Sequence, residues 1–297
     1  MLVILVTGAT GQLGSAVIDR LLERTDPAGV AALVRDPDKA AGIAARGVSV
    51  RVGDYDDPDA LDRAMQGVDR VLLIAGTAPQ ARVQQHRNVI DAAQRAGVSL
   101  IGFAGRSMQN ADASQTPLMG DYFATEDRIR SSGLPHALFR NGLYMDTVPL
   151  YVGGAGVFEN GLRVPVGEGR VAYALRREMG EAIANAMLDH GGENRTYVVA
   201  APVTYGFDDV AAALGEVSGR PLSYIRVTEE EYIAGAVRSG TPEEVANNVL
   251  GFYRDIRDNR LDETSGDLEL LLGRRPAGLV EGLRELFSLP ESTSPAP

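Results

Sequence analysis

The chain has 297 residues and a formal net charge of −11; 44% of its residues are hydrophobic and 23% are charged. This balance is typical of a globular protein with a sizeable core, and an acidic chain is a poor candidate for nucleic-acid binding, which needs a basic face. The sequence contains no cysteine, which excludes disulfides, Cys–zinc sites and thiol catalysis and favours a cytoplasmic location. We expect no metal site, because the three histidines lie far apart, and no membrane anchor or signal peptide, because no apolar run is long enough and the chain opens on a strand.

The most informative segment is the start of the chain, where an apolar run at 2–6 leads into a glycine-rich turn and then an amphipathic helical pattern. This arrangement is typical of a dinucleotide-binding βα unit, in which glycines allow a tight turn, close approach to a pyrophosphate and close helix packing. Free N–H groups and the helix dipole then bind the pyrophosphate. The alternative is a glycine-rich turn without a ligand. The cofactor contacts predicted here are Gly8, Thr10, Gly11, Gln12, Leu13 and Gly14.

Strands and helices alternate through the first half of the chain. Strand-like runs occupy 2–6, 29–34, 47–52, 70–75, 98–104 and 136–140, and helical patterns occupy 12–24, 37–46, 57–66, 79–96 and 119–132. The alternation predicts an α/β fold, a Rossmann doubly wound parallel sheet with helices on both faces. We therefore expect residues 1–144 to form an NADP-binding domain.

The pattern changes after residue 144. Residues 145–175 are rich in Gly, Val and Pro and indicate loop and hairpin. Beyond them, helices are predicted at 177–189, 208–217, 228–239, 242–257 and 276–287, and strands at 196–200 and 222–227. We expect residues 145–290 to form a smaller C-terminal α/β substrate lobe, with some elements returning to the main sheet, and 291–297 to form a flexible tail.

The end of the second strand bears on the choice between NAD and NADP. Arg35 stands about twenty residues after the glycine turn, where a basic side chain would bind a 2′-phosphate, and Lys39 follows one helical turn later. Asp36 leaves NAD open, because a carboxylate there could bind the ribose, although before Pro37 it could equally cap the next helix. A second alternative is that Arg35 is a surface charge paired with Asp36 or Asp38. We predict NADPH.

Further cofactor contacts are expected where the next strands end. Asp54 closes the third strand and could accept a hydrogen bond from the adenine amino group, while Asp56 or Asp57 suits helix capping better. Small residues close the fourth strand and leave room for the ribose or nicotinamide. The contacts predicted from the fourth and fifth strands are Ala75, Gly76, Thr77, Phe103, Ala104 and Gly105.

Six segments, spread from beginning to end of the chain, resemble the NmrA-like, atypical branch of the short-chain dehydrogenase/reductases, and within it the type 2 NADPH:quinone oxidoreductases most. The resemblance implies NADPH binding and hydride transfer to a quinone-like acceptor. The segments that carry it are 7–14, 34–37, 85–93, 125–126, 138–144 and 272–276.

The chain departs from typical short-chain dehydrogenases, which use a Ser, a Tyr and a Lys four residues after the Tyr. Here Tyr122 is followed by Glu126, and a carboxylate near a phenol disfavours the phenolate. Ala104 and Gly105 stand where the quinone-reductase relatives carry hydroxyl residues, with Ser107 as a potential substitute two residues later. The ordinary tyrosine-phenolate relay is therefore expected to be absent or altered. Tyr122 is the best candidate for a proton donor, and the alternative is a packed or ribose-contacting tyrosine.

The acceptor is expected outside the carboxyl end of the sixth strand, beside the nicotinamide. Aromatic side chains there could stack on a planar acceptor or simply pack. A histidine on an apolar helical face is either a core residue or points toward the cofactor. The residues predicted for this pocket are His86, Asn141, Tyr144, Tyr151 and Phe158.

The leading functional hypothesis is an NADPH-dependent oxidoreductase that transfers hydride to a quinone or a similar conjugated carbonyl acceptor. A dinucleotide sensor that binds NADP(H) without catalysis is one alternative, and a biosynthetic reductase of an aromatic ketone or enone is another. The sequence leaves a homodimer open and does not identify the physiological acceptor.

Overall fold

The computed structural model describes residues 1–76, 81–108 and 118–287. Its first half alternates strands and helices, as predicted. The elements are β1 (Ile4–Val6), α1 (Gln12–Arg24), β2 (Val30–Val34), α2 (Ala41–Ala44), β3 (Ser49–Val52), α3 (Pro58–Ala64), β4 (Arg70–Ile74), α4 (Arg82–Ala96), β5 (Leu100–Arg106), α5 (Leu118–Ser132), β6 (His136–Asn141) and β7 (Leu143–Tyr144). The helix predicted over 37–46 is wrong in extent: a 3₁₀ turn at Asp38–Ala40 precedes the single turn of α2.

The second half has more regular structure than its composition indicated. Its elements are α6 (Val148–Tyr151), α7 (Val157–Asn160), β8 (Leu162–Val164), β9 (Arg170–Val171), β10 (Tyr173–Ala174), α8 (Arg176–Asp189), β11 (Arg195–Val199), β12 (Tyr205–Gly206), α9 (Phe207–Ser218), β13 (Tyr224–Arg226), α10 (Glu229–Arg238), α11 (Glu243–Arg257), α12 (Asp267–Leu272) and α13 (Leu279–Phe287). The hairpin expected within 145–175 is wrong. The three short strands of that segment pair with distant strands instead: β8 with β13, β9 with β12, and β10 with β7.

Among the described residues, the main sheet has seven strands in the order β11-β6-β5-β4-β1-β2-β3, and every neighbouring pair is parallel. The chain order reverses between β1 and β4, which is the topological switch point of a doubly wound fold. Strands β1 and β2 are buried throughout, because helices cover both faces. The predicted Rossmann fold with a smaller C-terminal α/β region is confirmed.

Two elements of the second half return to this sheet. Strand β11 lies beside β6, and α8 packs against α1 so closely that a Cβ on Gly180 would lie 2.6 Å from the Cβ of Ala16. Helix α12 packs on both β11 and α8, and most of the remaining elements enclose a separate apolar cluster that includes Tyr173, Phe207 and Tyr253. No described helix is both long enough and apolar enough to span a bilayer.

Because all seven main-sheet strands are parallel, their carboxyl ends meet along one edge, here called the carboxyl edge. Open α/β sheets bind ligands outside this edge, at the switch point. The glycine turn after β1, Gly76 after β4, and the last residues of β5 and β6 all lie there.

Candidate active site

The turn after β1 has the backbone that phosphate binding requires. Gly8 is in the left-handed region, with φ +58°, and its carbonyl accepts a hydrogen bond of 2.9 Å from the Gly11 N–H. A Cβ at Gly14 would overlap the Gly8 carbonyl and lie 2.9 Å from the Cα of Ala9, so only glycine lets α1 pack against the turn.

The start of α1 leaves its first N–H groups available. Gly11 caps the helix without any side-chain hydrogen bond, and the first turn contains no acidic residue that would compete with an anion. Gly8, Thr10, Gly11 and Gln12 are exposed, whereas Leu13 is buried and contributes its side chain to the core. The turn therefore fits the diphosphate of a dinucleotide, bound by backbone N–H groups.

The basic residues after β2 differ in their partners. Arg35 is exposed and makes no hydrogen bond or ion pair with any described residue. Lys39, instead, lies 3.8 Å from Asp36, and Asp36 also accepts a hydrogen bond of 3.1 Å from the Asp38 N–H. The alternative in which Arg35 pairs with a neighbouring aspartate is thus wrong, and its guanidinium is available to a ligand.

The carboxylates after β3 divide between a cap and the carboxyl edge. Asp57 caps α3 by accepting a hydrogen bond of 3.0 Å from the Ala60 N–H, as the sequence indicated. Asp54 is half-buried and accepts the Asp56 N–H at 3.0 Å. Next to it, the Tyr55 hydroxyl donates to the Ile74 carbonyl at 3.1 Å, which joins the end of β3 to the end of β4.

His86 lies beneath the carboxyl edge and is fully buried. Its Nε2 accepts a hydrogen bond of 3.3 Å from the Gly76 N–H, so its Nδ1–H donates to the Thr125 hydroxyl at 2.7 Å. Burial and the charge of Arg82 lower its pKa to about 4, so the ring is neutral near pH 7. Both nitrogens are engaged, and the placement of His86 in the acceptor pocket is corrected: it is a core histidine.

The same contacts fix the end of β4. The Arg82 side chain, only 4% exposed, donates to the Gly76 carbonyl at 2.8 Å and pairs with Asp121 at 2.6 Å. Ala75 and Gly76 are half-buried at the carboxyl edge, where the sequence placed them. Thr77 lies outside the described residues.

Strand β5 is longer than predicted, since it continues to Arg106. Phe103, Ala104 and Gly105 consequently lie inside a buried strand and not at its end, which corrects the expected strand boundary. Phe103 is fully buried and its ring packs against the rings of His86 and Tyr122. The side chain of Phe103 is therefore inaccessible to an acceptor.

Ser107 follows the end of β5 and is buried. Its hydroxyl donates to a carboxylate oxygen of Glu263, and its N–H donates to the Asn141 carbonyl at 2.8 Å. This hydroxyl is thus engaged within the protein, so it is a poor substitute for the serine of typical short-chain dehydrogenases.

Glu126, which stands where a lysine was expected, is almost completely buried. Its carboxylate accepts hydrogen bonds from Arg140 at 2.7 and 2.9 Å and from Arg130 at 2.8 Å. Two guanidinium groups compensate its charge, so Glu126 is a structural ion-pair partner between α5 and β6. Its charge is therefore a weaker argument against a role of Tyr122 in proton transfer than the sequence suggested.

Tyrosines gather beyond the ends of β5 and β6. The Asn141 amide donates to the Tyr144 hydroxyl at 3.4 Å, and the guanidinium of Arg176 lies 4.4 Å from the centre of the Tyr144 ring. Tyr151 stacks on Phe252, with their ring centres 5.5 Å apart. All of them except the buried Asn141 are partly exposed, and they form what we call the tyrosine cluster: Tyr122, Asn141, Tyr144, Tyr151, Arg176 and Phe252.

Burial sets the protonation of the cluster. It raises the pKa of Tyr144 and of Tyr151 above the ordinary value, and the nearby charges of Arg176 and Arg106 only partly oppose this. The Tyr122 phenol is also close enough to raise the pKa of Tyr144. Both phenols are therefore neutral at physiological pH and do not act as bases.

Phe158 is placed elsewhere, although the sequence grouped it with the cluster. Its ring meets that of Phe287 on α13 at 5.2 Å, in a T-shaped arrangement typical of plain packing. In contrast, the sequence patterns did not indicate three residues that lie in or beside the cluster: Arg106, Arg176 and Phe252. Arg106 could have been found only if the true end of β5 had been known.

The glycine turn at the carboxyl edge of a parallel, doubly wound sheet defines a dinucleotide-binding Rossmann protein, and an aromatic cluster lies at the same edge. The chain belongs to the NmrA-like family, whose model matches residues 2–271.

Three relatives match over nearly their whole length. The chain is 34% identical to quinone oxidoreductase 2 of Escherichia coli (strain K12), over 96% of this chain and 99% of that protein. The crystal structure of Citrobacter sp. triphenylmethane reductase complexed with NADP(H) superposes with a TM-score of 0.88 at 35% identity, covering 95% of this chain and 99% of that one. An E. coli NADPH-dependent quinone oxidoreductase complexed with NADPH gives 0.87 at 33% identity, covering 96% and 99%. The expected family is confirmed, and these relatives are NAD(P)H-dependent oxidoreductases.

Proposed function

We propose that the protein is an NADPH-dependent reductase of quinones or of similar conjugated acceptors. The observation that carries the proposal is that the glycine turn with its free N–H groups and the tyrosine cluster lie on one carboxyl edge. Relatives named as a quinone oxidoreductase and a triphenylmethane reductase support the acceptor class, since both kinds of compound are conjugated and accept hydride.

The cofactor would be held by the backbone N–H groups at the start of α1 and by the free guanidinium of Arg35. Arg35 would bind the 2′-phosphate that distinguishes NADPH from NADH. Asp54, two residues after β3, would lie on the adenine side of the edge. When bound, NADPH supplies the hydride.

The protein's own part in the chemistry is to bind and orient a planar acceptor and to provide a proton. Reduction of a quinone to a hydroquinone adds one hydride and one proton, so a weak acid near the carbonyl oxygen is sufficient. Tyr122 is the proposed donor, because it lies beside Tyr144 and because Arg140 and Arg130 compensate the charge of Glu126. Tyr144 and Asn141 would position the acceptor oxygen.

The test follows oxidation of NADPH by its near-ultraviolet absorbance, against panels of quinones, enones and unactivated ketones. We expect turnover with quinones and little with ketones. Turnover restricted to ketones would contradict the proposal, and tight NADPH binding with no turnover on any panel would indicate a dinucleotide sensor instead.

A binding control separates the cofactor from the acceptor. A ligand that binds only the folded protein raises its melting temperature, so NADPH should stabilise the protein more than NADH at equal concentration. Greater stabilisation by NADH would contradict the role of Arg35 while leaving the reductase activity open to direct measurement.

A further inference from the structure

Arg106 ends β5 at the carboxyl edge and has no charged partner within the described residues. Its guanidinium lies 4.5 Å from the centre of the Phe252 ring, and its charge acts on the phenols of Tyr144 and Tyr151. The neighbouring arginines differ, since Arg140 is paired with Glu126 and Arg176 lies 3.8 Å from Asp146.

One nitrogen of this guanidinium, Nη2, is buried and makes no hydrogen bond in the part of the chain that the structure describes. Buried donors, and charged ones above all, are normally satisfied, because leaving one unpaired costs the desolvation of the group. Such an atom at a binding edge indicates a missing ligand.

A second unsatisfied atom lies on the next strand. Asn141, 2% exposed, leaves its Oδ1 without a partner among the described residues, and it stands opposite Arg106 in the register of β5 and β6. The other two such atoms belong to Arg70, at the amino end of β4, and to His190, whose carbonyl accepts a hydrogen bond from Arg70. At the carboxyl edge, an unused acceptor therefore lies within the tyrosine cluster and an unused donor lies beside it.

We propose that Arg106 makes the acceptor site selective for quinones that carry an acidic substituent, such as a sulfonate, a carboxylate or an ionised hydroxyl group. The proposal rests on the reductase function proposed above and specifies its substrate class. The aromatic side chains of the cluster take the ring system, and Arg106 takes the anionic group by a charge-assisted hydrogen bond from Nη2. The net charge of −11 would otherwise repel such compounds from the molecule.

Three substitutions test the proposal. Arg106→Met removes the charge and keeps much of the side-chain volume, while Arg106→Lys keeps the charge but loses the planar fork. Arg275→Met is the matched control, because its side chain is 91% exposed and it removes the same charge from the surface. Should Arg106→Met fail to fold, Arg106→Gln serves in its place.

The main measurement is kcat/KM for naphthoquinone and for naphthoquinone sulfonate with each variant. We expect Arg106→Met to lower the sulfonate-to-neutral ratio of kcat/KM by roughly ten- to a hundredfold, the range for a hydrogen bond to a charged group. Arg106→Lys should restore part of the ratio, and Arg275→Met should leave it unchanged. An equal loss for both quinones would overturn the proposal, since it would indicate a general or structural role.

Calorimetry provides an independent arm without turnover. Anthraquinone monosulfonate should bind the unaltered protein more tightly than anthraquinone does, and Arg106→Met should abolish that preference while leaving the Kd for NADPH unchanged. A parallel loss of NADPH affinity would overturn the proposal by assigning Arg106 to the cofactor. If the protein reduces no quinone, the proposed reductase function is wrong. If the calorimetry shows no preference for the sulfonate, the proposal that Arg106 binds an anionic group is wrong, whatever the turnover results.

Discussion

The substitution Arg35→Ser tests the molecular basis of cofactor choice. Because Arg35 has no described partner, no internal ion pair has to break before it binds a 2′-phosphate. A hydrogen bond to a charged group contributes about 1.5–3 kcal/mol, and each 1.4 kcal/mol is about tenfold in affinity. We expect the Kd for NADPH to rise roughly ten- to a hundredfold, at the lower end because the side chain is exposed, while the Kd for NADH stays nearly constant.

The assay is calorimetric titration with both dinucleotides at two salt concentrations. Because salt screens an exposed charge pair, the higher salt concentration should reduce the preference for NADPH over NADH. Lys39→Met is the matched control. Lys39 is 75% exposed and already pairs with Asp36, so its loss should cost less than about 1 kcal/mol. If Arg35→Ser weakened the binding of NADH and NADPH equally, Arg35 would stabilise the fold and would not bind the 2′-phosphate, contrary to the prediction.

Three further predictions concern the turn, the buried histidine and the proton donor. Gly14→Ala should lower the free energy of unfolding by about 1–3 kcal/mol and weaken NADPH binding, whereas Gly42→Ala, with nothing within 4 Å of its added Cβ, should do neither in thermal melts. Since burial lowers the pKa of His86 to about 4, the unfolded chain binds more protons below about pH 6.5. The free energy of unfolding should therefore fall by up to about 3 kcal/mol as the pH is lowered from about 6.5 to about 4. In denaturant melts, His86→Gln should lose this part of the pH dependence, and an unchanged dependence would contradict the assignment. Tyr122→Phe should lower kcat roughly a hundredfold with quinones while Tyr205→Phe does not; unchanged turnover would remove Tyr122 from the chemistry.

Local patterns allowed much of the first half to be predicted. The glycine turn and the position of Arg35 depend only on spacing along the chain, because the turn, the helix and the next strand follow each other directly. The cap at Asp57 is equally local, being decided by a side chain and an N–H three residues away.

Non-local pairing accounts for what sequence reasoning missed. Strand β5 extends to Arg106 because β6 runs beside it as far as Asn141, and no feature of the segment itself sets that length. The strands within 145–175 likewise form against partners far away in sequence. Each consists of two or three residues, too few for a periodicity to be recognised.

The segments that carry the family resemblance turn out to contain many structural contacts. Gln85 donates to Asp56 at 2.8 Å, His86 contacts Thr125, and Glu126 holds Arg140. These side chains join α4 and α5 to the loop after β3, to one another and to β6. Motifs typical of a family thus identified the fold correctly, and one of them, 138–144, also contains Asn141 and Tyr144, whereas Tyr122 on α5 and Arg106 at the end of β5 lie outside them.

The return of β11 and α8 to the first half makes the nucleotide-binding half unsuitable as a transplantable module. A fragment cut after residue 144 would leave β6 with an open edge and would strip from α1 the helix that covers it, exposing the face around Ala16 to water. Grafting this half onto another catalytic lobe would require a replacement for both elements. Exchange of acceptor specificity is better attempted by single substitutions at the strand ends than by swapping halves.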